Sequence, residues 1–176
     1  MFGTSWAWTS IDVTFNGDLL AADARPNPSQ EGESWVLLTQ RAYLQSRGLS
    51  LTSPPAGNSY YPLEALTGRT SDWYGASHDS SDQTRIINAL NTGHCVDALT
   101  YDGSPSCSLL VGDHFYTVVS YSYDWRWTGS SWQYQFCLML RNPWGTDGGS
   151  GYGPNDGLVR IWWSDFQNCM EGYAVN

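Results

Sequence analysis

The sequence predicts an α+β domain, with short helices early and a twisted antiparallel β-sheet late. Three observations predict it. Apolar residues recur at helical spacing only in the first half, where Trp35, Leu38, Ala42 and Tyr43 fall on one face. After Cys95 the apolar stretches shorten to strand length and are rich in aromatic and β-branched residues. Composition agrees: eighteen Gly and eight Pro punctuate the chain, while ten Trp and eleven Tyr within 41% hydrophobic residues supply a core and argue against disorder.

In chain order, residues 5–24 read as two short strands joined at Asn16-Gly17-Asp18, since Asn-Gly tolerates the positive φ of a tight hairpin turn. A polar loop follows. Ser34 then caps a helix through WVLLTQRAYLQSR, and Gly48 stops it. PLEALTG reads as a short helix with Pro62 in its first turn, where a missing N–H costs nothing. A further helix spans Asp82 to Thr92 and closes at Gly93. Strands follow at CVDALTYD, HFYTVVSYSYDW, WQYQFCLMLRN and GLVRIWW, and SDFQNCMEGYAVN reads as a short helix or turn before a last strand. No internal repeat or linker divides the chain, so one core is expected.

Charge narrows the function classes. A net charge of −9 opposes nucleic-acid binding, which needs a cationic face for phosphates. All eight basic residues are Arg, so lysine-based Schiff-base chemistry is excluded. No apolar run approaches the ~20 residues of a membrane span, and the start MFGTSWAWTSIDV lacks the basic and apolar pattern of a signal peptide. Cys95, Cys107, Cys137 and Cys169 show no zinc spacing, and read as buried thiols or as one or two bridges in an oxidising compartment.

The informative stretch is GDHFYTVVSYSYDWRWTGSSWQYQFCLMLRNPWG. Two strands flank WTGSS, a turn-rich segment centred near Thr128 and Gly129; a turn centred at Thr128 sets His114 opposite Asn142, and a bulge or longer loop shifts this by a residue or two. A thiol nucleophile needs a His to take its proton and return it to the leaving amine, and that His needs an acceptor on its other nitrogen. A neutral Asn amide oxygen fills that role in Cys-His-Asn sites. Trp144 is placed to cover the His–Asn hydrogen bond and keep water from it. Alone, His114 would read as a strand-end residue bonded to a backbone carbonyl, and Asn142 as a turn residue before Pro143. Together, with Asn-Pro-Trp-Gly following, they point to a catalytic pair.

GDHFYTVVSYSYD resembles the histidine segment of the calpain family of cysteine proteases, and LRNPWG resembles its asparagine segment. WTSIDVTFNGDLLAAD, ESWVLLTQRAYLQSRG, YPLEALTGRTSDWY and DGLVRIWWSDF resemble further family segments in the family's order. The resemblance implies a papain-like second core subdomain, a half-barrel of twisted antiparallel strands flanked by short helices, over 31–176. It makes 1–30 the tail end of the first core subdomain or a connecting hairpin. By the same resemblance His114 is the general base and acid, Asn142 its orienter and Trp144 the shield. The substrate would be a polypeptide and the setting cytoplasmic, with secretion as the alternative.

The family's nucleophile lies in a Gln-Gly-x-x-Gly-x-Cys-Trp type segment, and no cysteine precedes Cys95 here. Cys107, in the loop before His114, is the candidate substitute, but nothing near it in sequence stabilises a thiolate. The expectation is therefore a chain that partners the Cys-bearing subdomain of the same protease, or else a degenerate module of that fold that binds protein or peptide. Calcium is implied for such enzymes. Asp147 and Asp156, in TDGGSGYGPNDG, are the hard oxygen ligands on offer, and equally are residues that favour Gly-rich turns. Trp125, Trp127 and Trp132 read as hairpin-stabilising cross-strand aromatics or as a stacking surface.

Overall fold

The computed structural model describes residues 43–44, 47–48, 60–76, 79–102, 108–148 and 154–176. The expected hairpin at 5–24, most of the helix at 35–48, the division near residue 30 and Cys107 all lie outside the described residues. Within them the chain runs α1 (Tyr60–Thr67), β1 (Asp72–Gly75), α2 (Ser80–Asn91), β2 (Val96–Thr100), β3 (Phe115–Trp127), β4 (Trp132–Arg141), β5 (Leu158–Trp162), α3 (Trp163–Cys169) and β6 (Met170–Val175). The class is α+β. The six strands form one antiparallel sheet in the order β1-β6-β2-β3-β4-β5.

Local chemistry sets the helix ends. α2 begins earlier than its apolar pattern suggested, because the Asp79 carboxylate accepts from the Ser81 N–H at 2.7 Å. It ends at Gly93, whose φ of 73° reverses the chain towards β2. Ile86 and Ala89 then face the sheet, where they meet Val96, Ala98, Leu138, Ile161 and Phe166 in one core. A buried polar cluster ties α2 to β6: Tyr173 Oη donates to Asp82 Oδ1 at 2.6 Å, and Arg85 Nη1 donates to the same oxygen at 2.9 Å. Burial and this bond to Asp82 push the Tyr173 hydroxyl's pKa well up, so it remains a donor.

The β3–β4 hairpin departs from the expected turn centre. Its innermost pair is Trp127↔Trp132, so the loop is Thr128–Ser131 and its centre lies past Gly129. A bulge at Val119 then shifts the register between Val118↔Leu140 and Ser120↔Met139. The bulge has a packing reason. β4 buries Phe136, Leu138 and Leu140 on one unbroken face. β3 meets that face with Tyr116 and Val118 below the bulge and with Tyr121 and Tyr123 above it. One extra residue reconciles the even and odd sets. Beyond the reach of β5 the hairpin continues as a two-stranded ribbon, with Tyr123, Trp125, Trp127, Trp132 and Tyr134 exposed on one side.

Leu138 is fully buried at the centre of this core. Leu138→Ala is expected to lower unfolding free energy by about 2–5 kcal/mol, read by urea denaturation with an unchanged slope. A loss under about 1 kcal/mol would mean that the site is not packed as described.

Candidate active site

His114 and Asn142 do meet, though not as a strand pair. His114 immediately precedes β3 and Asn142 immediately follows β4. Strand register carried past both ends would set His114 against Trp144 instead. The contact with Asn142 arises because the chain turns at Asn142, where the Gly145 N–H donates to the Asn142 carbonyl at 3.1 Å. That turn brings the carboxamide and the Trp144 indole onto the imidazole together. Asn142 Oδ1 lies 3.0 Å from His114 Nε2, and the indole and imidazole centroids are 4.4 Å apart with a 48° tilt. Tyr116 meets the imidazole edge-on at 5.1 Å.

The Asn142 side chain is completely buried, and its orientation is fixed by its partners. Oδ1 also accepts from the Trp144 N–H at 3.0 Å, and Nδ2 donates to the Asp147 carbonyl at 3.3 Å. An N–H can only donate and a carbonyl can only accept, so the amide cannot be flipped. Its oxygen faces the imidazole, and His114 Nε2 must therefore carry the proton. In the neutral ring Nδ1 is then the lone-pair nitrogen, and it makes no hydrogen bond among the described residues. Chemically this is an oriented base with one nitrogen tied back and one open.

The main chain of His114 is held by Thr100, at the end of β2. The His114 N–H donates to Thr100 Oγ1 at 3.0 Å, and the Thr100 N–H donates to the His114 carbonyl at 3.0 Å. The Thr100 hydroxyl in turn donates to Val111 O at 2.7 Å or to His114 O at 3.1 Å. Asp113, just before the histidine, has a φ of 49°, a left-handed conformation that Asp tolerates better than most residues. Burial pushes the His114 pKa below its ordinary value. The Asn142 hydrogen bond and the Asp113 charge oppose that shift without overcoming it.

Asp147 and Asp156 are both spent on the loop that carries the asparagine. Asp147 is buried, and its Oδ1 accepts from the Gly157 N–H at 2.9 Å. Its own N–H donates to Asn155 Oδ1 at 2.8 Å. Asp156 Oδ1 accepts from the Leu158 N–H at 3.0 Å. Among the described residues no three His, Cys, Asp or Glu side chains gather as a metal would require. Two glycines allow the loop to close. A Cβ on Gly148 would stand 2.9 Å from Asn142 Nδ2 and 2.7 Å from Val111 Cγ2, and one on Gly157 would stand 2.8 Å from the Gly145 backbone. Both also have positive φ.

Neither described free thiol stands beside the imidazole. Cys95 lies ahead of the start of β2, roughly 16 Å of extended chain from the Thr100 end. Its thiol pKa is pushed up by burial and by Asp97, which opposes thiolate formation. Cys137 is buried within β4 with Sγ 3.1 Å from Ser122 Oγ, and Cys169 is buried and disulfide-bonded. His114, Asn142 and Trp144, which the sequence singles out, are brought together, and Thr100, Asp147 as a structural acceptor and Gly148, which it does not, join them. Nothing in a single threonine or glycine marks it before the fold places it.

Compared with protein-family models and with curated protein sequences, the chain matches none.

In NMR titration the His114 imidazole is expected to protonate below the ordinary value of about 6.5. Asn142→Ala should lower it further, because the bond that favours the charged ring is removed. The folded chain binds this proton less readily than the unfolded one. The histidine's contribution to stability is therefore complete above the ordinary value and is lost as pH falls towards the depressed folded value. A His114 pKa above that of a histidine peptide would contradict the described burial.

Proposed function

We propose that this chain is the histidine- and asparagine-bearing part of a calpain-like cysteine endopeptidase, a half-barrel second core subdomain of the papain-like kind. One observation carries the reading: Asn142, locked by Trp144 N–H and Asp147 O, fixes His114 with Nε2 protonated and Nδ1 open. The Cys-bearing subdomain of the same protease is the proposed partner, and a polypeptide the proposed substrate. In that assembly Nδ1 removes the thiol proton, the thiolate attacks the peptide carbonyl, and the imidazolium returns the proton to the leaving amine. Water then deacylates the enzyme with His114 again as base. Asn142 holds the ring through both half-reactions, and its neutral amide suits a histidine whose charge changes during each. Trp144 keeps water from the Asn142 bond.

Calcium belongs to this proposal only as the calpain resemblance implies it. Asp147 and Asp156 each accept a backbone N–H through Oδ1, and among the described residues no third acidic side chain gathers with them. Calorimetric titration of the chain with millimolar calcium is expected to give no heat. Saturable heat that vanishes in Asp156→Asn would assign the loop to calcium after all. The disulfide at Cys169 favours the secreted setting over the cytoplasmic one.

The deciding measurement is peptidase activity of the gene product that contains this chain. His114→Ala should lower kcat/KM by about 10²–10⁴-fold with the fold unchanged, with a smaller loss for Asn142→Ala. Labelling by a cysteine-directed epoxide should fall in parallel. If no peptidase activity and no labelling are found, the non-catalytic binding module takes its place.

A further inference from the structure

A second concave site lies at the other end of β2, away from His114. His114 docks on Thr100 at the end of that strand, whereas Cys95, at its start, donates its N–H to Asn176 Oδ1 at 2.9 Å. Around Asn176 opens a cleft of about 640 Å³ between α2, β1 and the end of β6. Its size falls within the range of small-molecule sites. Two of the chain's eight arginines line it, Arg69 and Arg85, in a protein whose net charge is −9.

Arg85 is unusually well fixed for a partly exposed arginine. Its guanidinium carbon lies 4.0 Å from the centroid of the Tyr74 ring. Its Nη1 donates to Asp82 Oδ1 and to Tyr173 Oη. Those bonds use one corner of the fork. The Nε and Nη2 donors have no partner among the described residues, and together they form the edge that matches two carboxylate oxygens. Because Tyr74 and Asp82 already hold the group, little side-chain freedom remains to be lost on binding. The Arg69 guanidinium likewise has no hydrogen-bond or ion-pair partner among the described residues. Ala89 and Val175 supply apolar wall beside the Tyr74 ring. Asp72 lines the same cleft and penalises a second negative charge.

We propose that this cleft binds a small monocarboxylate with a flat apolar body, its carboxylate on the free edge of Arg85 and on Arg69, and its body against Tyr74. The site is independent of the peptidase reading and would stand if that reading failed.

The test is a titration of the isotope-labelled 176-residue chain with hippurate, with hippuramide as the uncharged control and phenyl phosphate as the competing anion. Hippurate should give saturable shifts at the Nε–H signals of Arg85 and Arg69 and around Tyr74. Hippuramide should give none, and phenyl phosphate should bind more weakly. Arg69→Gln should weaken hippurate by about tenfold or more, as loss of a charge-assisted bond does. Arg85→Lys keeps the charge beside Asp82 and removes the fork, so it should weaken binding with the fold retained. If Arg85→Lys disturbs the fold, Arg69→Gln, whose guanidinium makes no hydrogen bond or ion pair among the described residues, decides alone. No hippurate shifts, or equal affinity in Arg69→Gln, overturns the proposal. Tighter binding of phenyl phosphate overturns the assignment to carboxylates.

Discussion

The carboxamide of Asn142 is where the candidate site and its fold become one problem. It is buried, and three groups define its orientation: the imidazole of His114 from before β3, and the N–H of Trp144 and the carbonyl of Asp147 from its own loop. Each is held by further bonds, His114 through Thr100 on β2 and Asp147 through Gly157 and Asn155. A buried amide left short of a partner costs about 1–3 kcal/mol, so these partners act as a set. The loop closes to satisfy the amide, and the closed loop is what holds the ring. That coupling explains why the Asp147 carboxylate turns inward to a backbone N–H, and why glycine occupies the two points where a side chain would intrude.

Much of this was legible in the sequence, and the parts that were not share a physical cause. The late strands and the helix at α2 follow from period and composition, and they fall where those signals put them. The proximity of His114 and Asn142 was legible too, but for an incomplete reason. The turn centres past Gly129 and the bulge shifts the pairing, so that strand register alone would give His114 to Trp144. The turn at Asn142-Pro143-Trp144-Gly145 restores the contact. A trace of the bulge is written in the sequence: the alternation of HFYTVVSYSYDW breaks at Val118-Val119, where two adjacent valines cannot both face the core. The short β1, Asp72–Gly75, was not read as a strand, because its four residues show no alternation of burial and it depends on β6 for pairing.

Other features were illegible because they exist only between distant residues. Thr100 is one of many threonines until β2 brings it to the histidine. The Asp82–Tyr173–Arg85 cluster joins residues 91 positions apart, and a buried aspartate early in a helix looks in sequence like an ordinary first-turn acid. Its placement matters twice. It pins α2 to β6, and it leaves one arginine edge unspent in a cleft far from His114. The exposed Trp and Tyr residues of the ribbon form the expected cross-strand pairs, Trp127 with Trp132 at 5.8 Å and Trp125 with Tyr134 at 5.4 Å.

The bulge at Val119 separates the hairpin into two mechanically distinct halves. Below it, β3 is gripped by β2 and β4 by β5, so the ends that present His114 and Asn142 take their register from the sheet. Beyond Cys137, where the pairing with β5 ends, β3 and β4 pair only with each other out to the Thr128–Ser131 loop. A change in tip length, or a one-residue slip in the ribbon, is thereby absorbed before it reaches the histidine. The tip is free to diverge in length and chemistry while the far end keeps its alignment, which makes it the natural place to graft a tag, a fluorophore or a new recognition loop.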